Sequence, residues 1–281
     1  MANMEAARER REKEPEYDAL RRRPLVGRRG LDFWLPWITA AVLLAGWEWS
    51  SQAGWFSPLF FPAPSNVLRA LARLISSGEL SMHISATLSR VFLGLALGGI
   101  PGLAVGLGMG WSRWLRTAVD PFVAAAHPIP KIAILPLFMI IFGLGETSKV
   151  VVVAVATFFP IAINAMAGVQ QISPILFEVA RNYGASPIRV FTRVVVPGSL
   201  SMILAGVRLS LNMALLITIA VELVTAQRGL GALIWLAWET LRTENLYAGL
   251  AVIIALGVTF NWGLRLLTAL IAPWWRKPQT G

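Results

Sequence analysis

Six long apolar stretches dominate this sequence, at roughly 33–50, 84–110, 117–143, 148–170, 199–225 and 246–272. A helix needs about 20 mostly apolar residues to cross the hydrocarbon core of a bilayer, where no water can satisfy an unpaired peptide group. Each stretch approaches or exceeds that length. The expected fold is therefore an all-α polytopic membrane protein with six transmembrane helices. Composition agrees, with 56% hydrophobic residues, 14% charged residues and a mean hydropathy of +0.63, where soluble domains carry about a quarter charged residues. Disordered and collagen-like chains are excluded. The absence of cysteine rules out disulfides, thiolate metal sites and a cysteine nucleophile, and says nothing of compartment. His83 and His127 lie far apart, so no metal centre is expected.

The formal charge is +10, from 25 Lys+Arg against 15 Asp+Glu. Nucleic-acid binding is one explanation of such a balance, but the distribution argues against it. Residues 1–30 hold nine basic side chains (Arg8, Arg10, Arg11, Lys13, Arg21, Arg22, Arg23, Arg28, Arg29) and six acidic ones. Further along, basic residues sit mainly at the edges of the apolar stretches, the pattern of a membrane protein anchored by cytoplasmic charge. The segment 1–30 is polar and aperiodic, and is expected to be a disordered or loosely helical cytoplasmic tail. The apolar stretch after it is long and lacks a small-residue cleavage site, so a signal peptide is not indicated. With the N-terminus inside, the inner segments carry sixteen basic residues (the nine above, Arg113, Arg116, Arg181, Arg189, Arg193, Arg276, Lys277). The outer segments carry five (Arg69, Arg73, Lys149, Arg228, Arg242), which favours two cytoplasmic termini. Trp34, Trp37, Trp47, Trp49, Trp111, Trp114, Trp274 and Trp275 mark span ends, as an aromatic belt would.

Two outer segments look helical but too short to span. One opens at Pro64-Ser65-Asn66, with Ser65 as N-cap and Val67, Leu68, Leu71, Leu74 and Ile75 on one face. The other opens at Gly229-Leu230-Gly231 and carries Leu233, Ile234, Trp235, Trp238 and Leu241. Both are expected to lie along the outer interface or plug a pore mouth. In the second span Gly94, Gly98, Gly102, Gly106 and Gly110 recur every four residues, a stripe that favours close helix packing over solute contact. Pro101 should bend this helix locally. No G-x-x-x-x-G-K-[ST] occurs, so the chain should not bind ATP by that route.

The longest inner connection, residues 171–198, is punctuated internally. Ser173-Pro174 reads as N-cap and N1, Gly184 as a left-handed stop, Ser186-Pro187 as a second helix start, and Pro197 precedes the next span. Glu178, Ala180, Gly184 and Pro197 fit E-A-A-x-x-x-G followed, after nine residues, by I-x-L-P. This resembles the EAA loop of permease subunits in binding-protein-dependent ABC importers. Val179 stands for the first alanine, and Val194-x-Val196 for I-x-L. Ile134-Leu135-Pro136-Leu137, Phe142-Gly143-Leu144-Gly145-Glu146, Gly206-Val207-Arg208 and Glu222 continue the resemblance to the nitrate/sulfonate/taurine/bicarbonate subgroup, over roughly residues 60–272.

The resemblance implies a type I ABC importer fold, with short interfacial and cytoplasmic coupling helices added to the spans. Two permease subunits, here a homodimer, form the pore in the inner membrane, and two ATPase subunits beneath them hold ATP and Mg. A periplasmic or lipid-anchored binding protein delivers solute. The loop helix docks in the ATPase, with Glu178, Ala180, Arg181, Gly184, Ala185, Ser186 and Pro197 as the coupling residues. This chain itself would be no enzyme and would bind no cofactor. Solutes of the subgroup are small anions, or vitamin-like riboflavin and thiamine precursors.

Charges within spans are functional candidates by default. Lys131 lies about 21 Å into the third span if helical; Pro128 and Pro130 predict a break there, and cavity lining is the reading favoured for it. Arg208, with Asn212 nearby, and Glu222 either pair with neighbouring helices or line the translocation path. Glu48 ends the first span, and Arg90 and Arg265 are close enough to span ends to snorkel. A secondary transporter would show repeated halves, and none is evident. An intramembrane enzyme would need a nucleophile and base, or metal ligands, on facing helices, and these residues offer no such set.

Overall fold

A computed structural model describes residues 29–225 and 227–271, with side-chain surroundings from Trp34 onward. The tail 1–28 and the residues Trp274, Trp275, Arg276 and Lys277 lie outside the described residues. The chain divides into two compact units, residues 1–65 and 66–281. Among the described residues there is no strand.

The first unit holds α1 (Arg29–Gln52) and the turn that follows it. Glu48 ties that turn down, accepting bonds from the Ser65 N–H at 2.9 Å and the Ser65 hydroxyl at 2.8 Å. Trp49 and Trp55 pack edge to face at 4.8 Å.

The second unit contains most of α2 (Pro64–Ser76), then α3 (Glu79–Trp111), α4 (Arg113–Ala126), a 3-10 turn (Lys131–Ile134), α5 (Leu135–Phe142), α6 (Glu146–Gln170), α7 (Pro174–Asn182), α8 (Pro187–Val190), a π turn (Phe191–Val195), α9 (Val196–Thr225), α10 (Leu230–Glu239) and α11 (Thr243–Ile271). Among the described residues, four helical stretches are long and apolar enough to cross a membrane: α3, α6, the 39-residue run Pro187–Thr225, and α11. The third expected span is instead a pair, α4 and the helix Lys131–Phe142, bent by 91°. Pro128 and Pro130 lie at the bend, since neither can donate to the preceding turn. Helix α1 covers the expected first span, 33–50. The fifth span starts at Pro187, twelve residues before the expected 199. The π turn at 191–195 absorbs Pro197, which has no N–H to give the Arg193 carbonyl.

Two amphipathic readings change in register. Helix α2 starts at Pro64, so Ser65 stands in its first turn rather than at the N-cap. Its buried stripe is Val67, Ala70 and Leu74, packed against Leu80, Leu230, Leu233 and Ala248. Leu68 and Ile75, one position round the helix, are exposed. Helix α10 buries Leu230, Leu233 and Ala237 and leaves Trp235 and Trp238 exposed, their rings 4.9 Å apart.

The centre of the second unit is the contact of α3 with α6, made by the glycine stripe. A methyl group on Gly98 would overlap the Ala154 carbonyl oxygen, and one on Gly102 would come within 2.6 Å of the Phe158 carbonyl oxygen. The same group on Gly106 would strike the Ala162 carbonyl, and on Gly94 and Gly110 the side chains of Val153 and Val169. Backbones this close leave no room for Cβ. Thr157, on α6, adds a hydroxyl bond to the Gly94 carbonyl at 3.1 Å. Helix α3 runs unbroken through Pro101.

Candidate functional site

Beyond the Trp111 end of the bundle, α7 projects with no buried residue. Pro174 sits at its first turn, and Ser173 occupies the N-cap position without a side-chain capping bond. Its far end closes through two backbone bonds, Gly184 N–H to the Arg181 carbonyl at 2.9 Å and Ala185 N–H to the Ala180 carbonyl at 3.0 Å. Gly184 sits at φ +68°, the left-handed conformation this closure requires. Ser186 precedes Pro187 at the start of α8, and Pro197 is exposed. Ile175 (65%), Leu176, Val179 and Tyr183 (87%) expose their apolar surface. Nine residues are too few for a helix stable on its own in water. Trp111 steadies this one, with its ring 6.3 Å from Phe177 and 5.9 Å from Phe191. Glu178, Arg181, Arg116 and Trp111 line a groove between α7 and the bundle.

The embedded charges separate into three kinds. Lys131 donates to the carbonyls of Ala126, His127 and Ile129 at 2.9, 2.8 and 2.7 Å, and its ammonium lies 4.6 Å from the Phe159 ring centroid. All three of its donors are used, and it caps the broken end of α4. Glu222 is 1% exposed and lies inside the unit, paired with neighbouring helices. Its Oε1 accepts from Arg90 Nη1 at 2.7 Å, and its Oε2 from the Thr87 hydroxyl at 3.0 Å and the Gly231 N–H at 2.9 Å. Arg208 is the third kind: exposed, about 18 Å along α9, on the same helix face as Asn212, and without an ion pair among the described residues. Asn212 Oδ1 is 3.4 Å from Asn261 Nδ2 on α11.

Arg90, expected to snorkel, is buried at the Glu146 end of the bundle. Its Nε and Nη2 bind Glu146 at 2.6 and 2.8 Å, and its Nη1 also reaches the Arg228 carbonyl at 2.6 Å. Lys149 adds a bond to Glu146 at 2.9 Å. Thr87 accepts from the Leu230 N–H at 2.9 Å, and His83 Nδ1 lies 3.0 Å from the Gly229 nitrogen. The signal for this cluster was in the spacing: His83, Thr87 and Arg90 extend the stripe Gly94 to Gly110 on one face of α3. Among the described residues no group of acidic or histidine side chains could hold a metal ion.

Residues 94–277 match the family described as binding-protein-dependent transport system inner membrane component. The chain belongs to this family. The permease is 37% identical over 246 residues, 86% of its own length and 90% of the other's, to the taurine transport system permease protein TauC of Escherichia coli. It is 35% identical over 239 residues, 85% of its length and 91% of the other's, to the putative aliphatic sulfonates transport permease protein SsuC of the same organism. A chain of the MetNI methionine ABC transporter, solved in inward-facing conformations, aligns at a TM-score of 0.57 and 19% identity, covering 68% of the permease and 94% of that chain. The fold is that of type I ABC importer permeases. The permease is thus a multi-pass inner-membrane transport subunit and not an enzyme. ATP is hydrolysed by a separate subunit, and a binding protein supplies the solute.

Proposed function

We propose that this permease imports a small organic sulfonate, taurine being the first candidate, as a homodimer driven by two ATPase subunits gripping α7. The observation that carries the coupling is the unburied apolar face of α7 with its glycine-locked end. The same short helix carries Glu178 and Arg181, charged groups that a protein groove can pair. In the groove Gly184 shapes the turn, Ala180 and Ala185 permit close approach, and Glu178 and Arg181 offer charged hydrogen bonds. Ser186 and Pro197 bound the following segment. ATP and Mg belong to the partner, and this chain binds no cofactor. Both termini face the cytoplasm, so the Trp111 end is inner and the Glu146 end outer.

The relatives' names point to sulfonates, and Arg208 supplies a chemical reason. An exposed, unpaired arginine midway along a span is costly against lipid, so this face of α9, with Asn212, faces a water-filled path. Guanidinium binds sulfonate oxygens by charge-assisted hydrogen bonds. The test is uptake of taurine into proteoliposomes holding the complete transporter. Taurine uptake that requires ATP is expected, and Arg208→Ala should lower it by about tenfold or more, the scale of one charged hydrogen bond, with the ATPase still co-purifying. Undiminished uptake by Arg208→Ala would remove it from the path; riboflavin uptake in place of taurine would overturn the sulfonate assignment.

A further inference from the structure

The ionic cluster at the outer end is not required by the coupling reading, and its parts differ in one respect. The Arg90 side chain is 4% exposed and that of Glu222 is fully buried, whereas that of Glu146 is 61% exposed. Water therefore reaches the Arg90–Glu146 pair from the Glu146 side alone. On the other side Glu222 and the Arg228 carbonyl fix Nη1, so Arg90 stays with α9 and residues 228–231 if Glu146 leaves. Glu146 would not leave unpartnered, because Lys149 already holds its Oε1 at 2.9 Å on its own helix. It also stands three residues after Gly143, at φ +81° the joint between α5 and α6. An open pocket lined by Ser89, Arg90, Glu146, Lys149, Gln227 and Arg228 surrounds the pair.

We propose that Arg90 and Glu146 are positioning residues forming a releasable latch across the outer ends of α3, α6 and α9, with Arg90–Glu222 as its fixed half and Arg90–Glu146 as the half that opens when the transporter turns outward. Lys149 lowers the cost of release by keeping the Glu146 carboxylate paired. The inference rests on the import function and orientation proposed above. It differs from a static brace, which would hold both carboxylates equally out of water.

The chain has no cysteine, so an introduced thiol is the only one this subunit carries, and its labelling is read on the separated subunit. Thr218 is the place for it: fully buried, one turn from Glu222, and with a hydroxyl that makes no hydrogen bond. In the complete transporter in proteoliposomes, Thr218→Cys is labelled from outside with a membrane-impermeant maleimide, with and without a non-hydrolysable ATP analogue. Labelling should be slow at rest and faster with the analogue. Adding Glu146→Gln should raise the resting rate by about threefold, the scale of one partly exposed ion pair, with ATPase co-purification and Tm unchanged. Glu146→Asp should fall between the two. Lys149→Gln should slow labelling with the analogue, where general loosening would speed it. A resting rate unchanged by Glu146→Gln, or faster labelling in Lys149→Gln, overturns the latch. If the analogue has no effect on Thr218→Cys alone, the proposed import cycle fails and the latch with it.

Discussion

Lys131 shows how a charge embedded in a membrane segment is read by its donors. Pro128 and Pro130 stop α4 and leave carbonyls facing a turn, and the ammonium bonds three of them. Lys131→Met should therefore destabilise the permease by about 2 kcal/mol, the net value of a charged hydrogen-bond set that is partly exposed. The check is Tm of the purified subunit, with Lys131→Arg recovering part of the loss. A role on the path would give the opposite pattern, uptake lost at unchanged Tm. The sequence shows that Lys131, Arg90 and Glu222 are costly to embed, but not their partners. Arg90 and Glu222 lie far apart in the chain, and only the α3–α9 contact joins them. Arg208 is the embedded charge to which the fold gives no ion-pair partner among the described residues.

At the level of elements, α3 and α6 are matched by backbone shape. Gly98→Val should cost upwards of about 3 kcal/mol, since its Cβ meets the Ala154 backbone carbonyl, which no rotamer change can move. Gly263→Ala on α11, where nothing lies within 4 Å, should be neutral or stabilise by up to about 1 kcal/mol. Thermal unfolding of the two variants side by side checks the contrast. The glycine period was legible because helix geometry alone puts every fourth residue on one face. The partner carbonyls were not, since backbone groups leave no trace in a sequence. The stops of α7 were legible too, because proline and glycine act locally. The face of α2 was misplaced by one stripe, since Leu68 and Ile75 look as apolar as Val67 and Leu74 and only packing against Leu230 and Leu233 chooses between them.

Across the whole molecule, hydropathy located the long spans because lipid imposes length and polarity directly. It could not distinguish a straight span from the pair bent by 91°, nor see that the fifth span continues back to Pro187, since both depend on how prolines are accommodated. The transport machine is assembled from several chains, and α7 is where this one would receive force. A single cysteine at Val179, exposed on α7 in an otherwise cysteine-free chain, allows the contact to be measured in the complete transporter with a short bifunctional thiol reagent. Coupling through α7 predicts a cross-link between Val179→Cys and the ATPase subunit, stronger with bound nucleotide. An ATPase that supports uptake yet never cross-links to this position, while the thiol remains freely reactive, would contradict it.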